Sequence, residues 1–202
     1  MRLFHSPTTP FGRKVMVALL ETGLIDRVAV IAAAGTPVDP GTMPLGTNPL
    51  GKIPVLELDD GLALYDSRVI CRYLDDCAAG GLYPSAPRLW QTLTLEATAD
   101  GMLDAAVLMV YEARVRPEDK RFDGWVEGQW AKIARALDAL ETRWRDHLAG
   151  PFDMGQVALA CALAYLDFRH AHRIWRTNHA ALAAWYEGFS QRPSMRATVP
   201  AA

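Results

Sequence analysis

Asn48-Pro-Leu-Gly-Lys-Ile-Pro-Val55 (NPLGKIPV) sets a proline directly before an apolar run. Proline has no backbone N–H to donate, so within a sheet it belongs at a strand's first residue or on an edge. Pro54 therefore predicts a strand over Pro54–Leu58. An X-Pro bond can also be cis. In that form the Ile53 N–H and C=O would turn outward, where they could take a peptide as an added strand. The plainer alternative is that Pro54 only starts the strand. Leu62–Tyr65 continues the pattern, and Asp59-Asp60-Gly61 between the two runs is a hairpin signal.

Working upstream, Arg2–His5 reads as a short strand and SPTTPFGRKV, Ser6–Val15, as a turn opening a helix. Pro10 suits a first helical turn, because its missing N–H would be unpaired there anyway. The helix carries Val15, Val17, Leu19 and Leu20, and Gly23 is a natural stop. Arg27–Ile31 predicts a second strand. The Gly- and Pro-rich stretch from Gly35 to Gly46 predicts a loop. Downstream of the hairpin, a helix starts near Asp66 with Val69, Ile70, Tyr73 and Leu74 on one face.

The rest of the chain has a different texture. Ala78–Pro87 is rich in Gly and Pro, as linkers are. The reading is a mixed domain at 1–78, a linker at 79–87 and a helical domain at 88–202. Helices are predicted over Leu89–Arg116, Asp123–Leu148 and Asn178–Ser190, with Trp130, Ile133, Leu137, Leu140 and Trp144 at helical spacing in the second. Asp153–Arg169 is apolar all round and predicts the central buried helix. Asp153 and Gln156 have the spacing of a capping box, in which each side chain reaches the other's backbone. A buried Asp167 needs a partner, and Arg169 is near in sequence.

Composition narrows the function. The chain has 202 residues, 50% of them hydrophobic, and a net charge of −2 with no basic run, which excludes nucleic acid as an expected partner. No run approaches a membrane span, and the start shows no signal peptide. Three cysteines, Cys71, Cys77 and Cys161, make an odd count with no zinc spacing. They are expected to be small buried residues of a reduced, cytoplasmic protein. No metal is expected.

Two further spots suit ligands. Asp66-Ser67 opens a helix, whose N-terminus attracts carboxylates while Ser67 adds a donor and Asp66 could meet an ammonium. Together they suit an α-amino acid end group, although taken alone a plain helix cap is the favoured reading. The Thr8 and Thr9 hydroxyls stand at a strand-to-helix turn, where they could donate to a thiolate or simply cap.

In this order the motifs SPTTPFGRKV, NPLGKIPVL, YDSRVICRYL and FDMGQVALACALAYLDFR resemble the cytosolic glutathione transferase family, over essentially the whole chain. The resemblance implies an α/β thioredoxin-like domain followed by an all-α domain, in a bacterial member with a Ser/Thr-type rather than a Cys- or Tyr-type turn. It implies that Pro54 is the family's cis-proline and that Ile53 anchors the glutathione cysteine. It also implies that Asp66 and Ser67 hold the γ-glutamyl end and that Lys52 meets the glycyl carboxylate. Thr8 aligns with the serine of Ser-type members, and Thr9 with the cysteine of Cys-type members. Asp100, four residues before Asp104 on one helix face, is the acid that would reach the partner subunit's glutathione in a homodimer. The implied activity is transfer of glutathione, as co-substrate, to a small hydrophobic electrophile in detoxification. Isomerase or reductive thiol chemistry on the same fold, and a non-catalytic binding protein, are the alternatives. Tyr111, Arg114 and Trp175 are candidates for the acceptor pocket.

Overall fold

A computed structural model of the chain describes residues 1–200. It divides into two compact units, Met1–Pro84 together with the segment from Pro193 onward, and Ser85–Arg192.

The first unit is built on a four-stranded sheet. Strands β1 (Arg2–His5), β2 (Ala29–Ala32), β3 (Val55–Glu57) and β4 (Ala63–Leu64) lie in the order β2-β1-β3-β4. Helix α1 (Pro10–Glu21) connects β1 to the parallel β2, as a parallel pair requires a crossover. The pairs β1/β3 and β3/β4 are antiparallel. In the β3–β4 hairpin Gly61 takes φ 87°, a conformation glycine adopts without penalty. Asp60 Oδ1 accepts from Leu62 N at 2.9 Å in the same turn. Leu3, Val15, Leu19, Leu56, Ile70 and Leu74 are wholly buried and form the core.

Several boundaries depart from expectation. The second strand starts at Ala29 because Ile25–Arg27 forms a 3₁₀ turn first. All four β2 residues are exposed, so hydrophobic alternation had little to mark there. Helix α2 (Ser67–Ala78) buries Ser67, Ile70, Cys71, Leu74 and Asp75. This stripe, three to four residues apart, leaves Val69 exposed, contrary to the predicted face. Cys71 and Cys161 are buried, but Cys77, in the last turn of α2, is exposed. The Gly/Pro-rich stretch after α2 is tied down, since the Asp75 carboxylate accepts from Leu82 N at 2.7 Å and Tyr83 N at 3.0 Å.

The second unit holds α3 (Arg88–Val115), α4 (Asp123–Arg143), α5 (Arg145–Leu148), α6 (Met154–Arg169) and α7 (Ala180–Phe189). Every residue of α6 from Met154 to Leu166 is buried, which makes it the central helix. At Gly155 a Cβ would stand 2.8 Å from the Thr92 carbonyl oxygen, so α3 and α6 meet there backbone to backbone. The helix predicted over Asp123–Leu148 breaks at Trp144 (φ −111°, ψ 5°), where the Arg145 guanidinium takes the Glu141 carbonyl at 2.7 Å.

The capping box forms by half. Asp153 Oδ1 accepts from Gln156 N at 3.1 Å, but the Gln156 amide turns away to the His147 and Leu148 carbonyls. Asp153 is instead the centre of a buried cluster with Arg88 (3.0 Å), Thr92 (2.9 Å) and His147 (2.8 Å). Asp167 pairs with Arg176 and with the Trp175 indole rather than with Arg169, which points elsewhere along α6.

The last helix, α8 (Pro193–Ala197), belongs to the first unit and not to the helical half where the sequence division had put it. It packs on α1, where the buried Arg13 donates to the Met195 carbonyl at 3.0 Å and to Thr198 Oγ1 at 3.3 Å.

Candidate functional site

Strand register gathers three sequence motifs at one end of the sheet. Phe4 pairs with Val55 in the antiparallel β1/β3 ladder, so the turn leaving β1 lies beside the entry to β3. Leu56 pairs with Leu64 in β3/β4, so the exit of β4 reaches the same end. Ser6–Thr9, Lys52–Pro54 and Tyr65–Ser67 are therefore neighbours. Two twelve-residue helices, α1 and α2, begin from this end. Their N-termini leave N–H groups unpaired and concentrate positive potential where an anion would sit.

The turn after β1 is closed by a hydrogen bond from Thr9 N to the Ser6 carbonyl at 3.0 Å. The Thr8 hydroxyl is 3.3 Å from the Ser6 hydroxyl. Thr9 occupies the N-cap position of α1 without a side-chain capping bond. Its methyl is packed toward Gly12, and its hydroxyl is not engaged by the helix. The simple capping role for Thr9 thus does not hold.

His5, which ends β1, lies under this turn. It is 8% exposed, and its Nδ1 is buried with no hydrogen-bond partner. Burial pushes its pKa from 6.5 down to about 4, so the ring is neutral at pH 7. A Cβ at Gly12 would fall 2.2 Å from that Nδ1, which is why glycine faces it.

The Ile53-Pro54 peptide is cis, as is Tyr65-Asp66. Asn48 organises the approach to Ile53. It is 2% exposed, donates to the Lys52 carbonyl at 2.9 Å and accepts from Leu50 N at 3.0 Å. Lys52 itself is exposed and has no ion pair among the described residues.

Asp66 caps α2 by accepting from Arg68 N at 3.0 Å. Its other oxygen binds the Arg68 guanidinium at 2.7 Å. Partial burial works to raise its pKa, but the Arg68 hydrogen bonds and the charges of Arg68 and Lys14 outweigh this and lower it. The Ser67 side chain is buried, and its hydroxyl has no hydrogen bond among the described residues. Asp100 is on α3 in the other unit, buried, while Asp104 is exposed. Trp175 is buried and donates to Asp167.

Asn48, Arg68, His5 and Gly12 were not assigned roles from sequence. Asn48 carried a usable signal, since Asn before Pro favours a turn. Arg68 and the His5–Gly12 contact carried none. Among the described residues no cluster of His, Cys, Asp or Glu is placed to hold a metal ion. Among the same residues no helix is long and apolar enough to cross a membrane.

Residues 8–77 match the family model described as glutathione S-transferase, N-terminal domain, and residues 123–188 the corresponding C-terminal domain. The uncharacterized GST-like protein YibF of Escherichia coli is 32% identical over 99% of this chain and 98% of its own. A glutathione transferase family member from Pseudomonas fluorescens Pf-5, crystallised with bound glutathione, is 50% identical. It superposes with a TM-score of 0.97, covering 100% of this chain and 99% of that one. A second crystal structure from Pseudomonas fluorescens Pf-5, also 50% identical with a TM-score of 0.93 and full coverage of both chains, has bound S-(propanoic acid)-glutathione.

Proposed function

The chain belongs to the glutathione S-transferase family, and from that premise we propose that it binds glutathione in its thioredoxin-like unit and adds the glutathione thiolate to a small hydrophobic electrophile. The observation that carries this reading is the meeting of Ser6–Thr9, Lys52–Pro54 and Tyr65–Ser67 at one end of the sheet.

Each part of the tripeptide has a counterpart there. The Ile53 backbone N–H and C=O pair with the cysteinyl residue as an added strand would. The γ-glutamyl carboxylate takes the Ser67 hydroxyl and the free N–H groups of α2. Its ammonium shares the Asp66 carboxylate, which Arg68 already holds in place. Lys52 meets the glycyl carboxylate.

Activation of the thiol falls to Thr9 rather than Thr8. The Thr8 hydroxyl has Ser6 as a neighbour, whereas that of Thr9 is uncommitted at the head of α1. A free cysteine thiol has a pKa of about 8.5, and lowering it by about 2 takes roughly 2.7 kcal/mol of preference for the thiolate. One hydrogen bond to a charged group supplies roughly 1.5–3 kcal/mol. The Thr9 hydroxyl, helped by the α1 dipole, is therefore sufficient, and the enzyme itself forms no covalent bond. The Ser/Thr-type assignment of this turn follows from the same argument.

The acceptor includes small compounds that end in an acid. A relative 50% identical holds a glutathione thioether bearing propanoic acid. An adduct of that form results when a thiolate adds to a three-carbon unsaturated acid. A homodimer with Asp100 near the partner's glutathione, a cytoplasmic location for a chain whose three cysteines form no disulfide among the described residues, and a detoxifying role complete the reading.

The test is calorimetric titration of glutathione into wild type and Ser67→Ala, followed by turnover of Thr9→Val and Thr8→Val with a general aryl electrophile. Weaker binding in Ser67→Ala and lost turnover in Thr9→Val alone are expected. Absence of glutathione binding in wild type would overturn the function. Full turnover in Thr9→Val would overturn the role of Thr9.

A further inference from the structure

Arg13, on α1, is an enclosed cation that meets no acid. It is 5% exposed. Its Nε–H donates to Thr198 Oγ1 and its Nη2 to the Met195 carbonyl, both uncharged acceptors. A guanidinium carries five N–H donors. Among the described residues Arg13 makes no other hydrogen bond and no ion pair. A buried charge is costly unless an opposite charge meets it. Arg88 in the helical unit shows the usual solution, with the Asp153 carboxylate at 3.0 Å.

Arg13 lines a cavity of about 130 Å³ that lies wholly within the first unit, among the end of β1, α1 and the segment after α8. That is more room than a single water needs. His5 and Thr198 share the polar side of the cavity with Arg13, while Pro7, Met16 and Val199 give it apolar walls. The His5 Nδ1 is shut away against Gly12, so Nε2 is the ring nitrogen an occupant can reach. Burial keeps the ring neutral at pH 7, with one N–H to give. On Nδ1 that proton would find no acceptor; on Nε2 it is offered to the cavity.

We propose that this cavity is a binding site for a small monocarboxylate of two or three carbons, held by Arg13 and His5. The carboxylate takes the uncommitted guanidinium N–H groups and the His5 N–H. Its short tail lies along Pro7, Met16 and Val199. A planar carboxylate matches the guanidinium fork, which a spherical anion does not. One cation in a largely apolar enclosure balances one negative charge, so a phosphate dianion is disfavoured. The Thr198 hydroxyl donates to the Ser194 carbonyl at 2.9 Å, so it steadies Arg13 rather than the ligand. Pro7 belongs to the Ser6–Thr9 turn, and an occupant therefore braces that turn, α1 and the segment after α8 together. The inference stands independently of the transferase reading, since it uses none of the residues assigned to glutathione.

Titration of sodium acetate into the whole chain at pH 7 tests the site, with sodium sulfate holding the ionic strength and the His5 ring followed by nuclear magnetic resonance. Acetamide is the neutral isostere and chloride the spherical anion. Acetate is expected to shift the ring signals saturably with a Kd of about 1 mM, the affinity that a pair of charge-assisted hydrogen bonds sustains. Chloride should bind at least about tenfold more weakly, and acetamide should move nothing. Acetate should also raise the melting temperature, as a ligand that prefers the native state does. By calorimetry His5→Leu should weaken acetate about tenfold, the loss of one such bond. Arg13→Gln should abolish binding, and Arg13→Lys should keep part of it. If Arg13→Gln does not fold, His5→Leu decides alone. No saturable shift with acetate, an equal response to acetamide or chloride, or wild-type acetate affinity in His5→Leu overturns the site and leaves the transferase reading standing.

Discussion

Acidification from pH 7 to 4 should cost the protein stability through His5, by an amount that follows from its surroundings. The imidazole is buried beneath the Thr turn with Nδ1 unpartnered and Gly12 pressed against it. Burial lowers its pKa from 6.5 to about 4. Above pH 6.5 the ring is neutral in both the folded and unfolded chain, and the full stability is present. Between 6.5 and 4 the unfolded chain takes a proton that the folded one refuses. Each pH unit in that window costs about 1.36 kcal/mol. The loss is complete near pH 4 and totals roughly 3 kcal/mol, a large share of a typical ~5–15 kcal/mol. His147 and His170 are also lowered, chiefly by burial, and act in the same direction. The assay must therefore compare proteins. Urea unfolding of wild type and His5→Leu at pH 7, 5.5 and 4 isolates the His5 share. Wild type should lose about 3 kcal/mol more than the variant across this range. Equal losses would refute the reasoning.

Three other outcomes can be checked. Asp153→Ala removes the acceptor at the centre of the Arg88–Thr92–His147 cluster and should cost roughly 1–3 kcal/mol by chemical denaturation, because buried donors lose their partner. Gly12→Ala sets a methyl against His5, so a lower melting temperature and weaker glutathione binding are expected together. In Asn48→Ala the Lys52 carbonyl loses its donor and the Ile53 approach loosens. Glutathione affinity should fall several-fold in titration, with the helical unit's far-ultraviolet signal unchanged.

What could be read from sequence was local or periodic. Pro10 marks the start of α1 because the requirement for a missing N–H acts at one residue. Pro54 before an apolar run marks the start of β3 for the same reason, while its X-Pro amide only permitted the cis bond that the structure has. Helix α6 declares itself because thirteen consecutive residues are buried and none of the first twelve carries a charge. Features set by distant residues were hidden. The Arg13–Met195 bond joins positions 182 apart, and nothing near either one reveals it. Gln156 has the right spacing for a reciprocal box, yet the His147 and Leu148 carbonyls needed its amide more. At the candidate site the motifs could be found, but not the Arg68 grip on Asp66 or the freedom of the Thr9 hydroxyl. Those depend on side-chain directions that neither spacing nor composition encodes.

The return of α8 to α1 makes the thioredoxin-like unit discontinuous along the chain. During synthesis, residues up to Pro84 emerge long before the segment that supplies Arg13 with its Met195 and Thr198 partners. The amino-terminal unit must therefore wait, with Arg13 lacking those two partners, while the whole helical unit is made. The helical unit is thus an insertion within the first, and a gene fragment ending at Pro84 encodes an unfinished domain. A circular permutant that begins at Pro193 and runs through a short linker into Met1 would deliver both parts of the first unit in succession, and should fold that unit sooner than the natural order does.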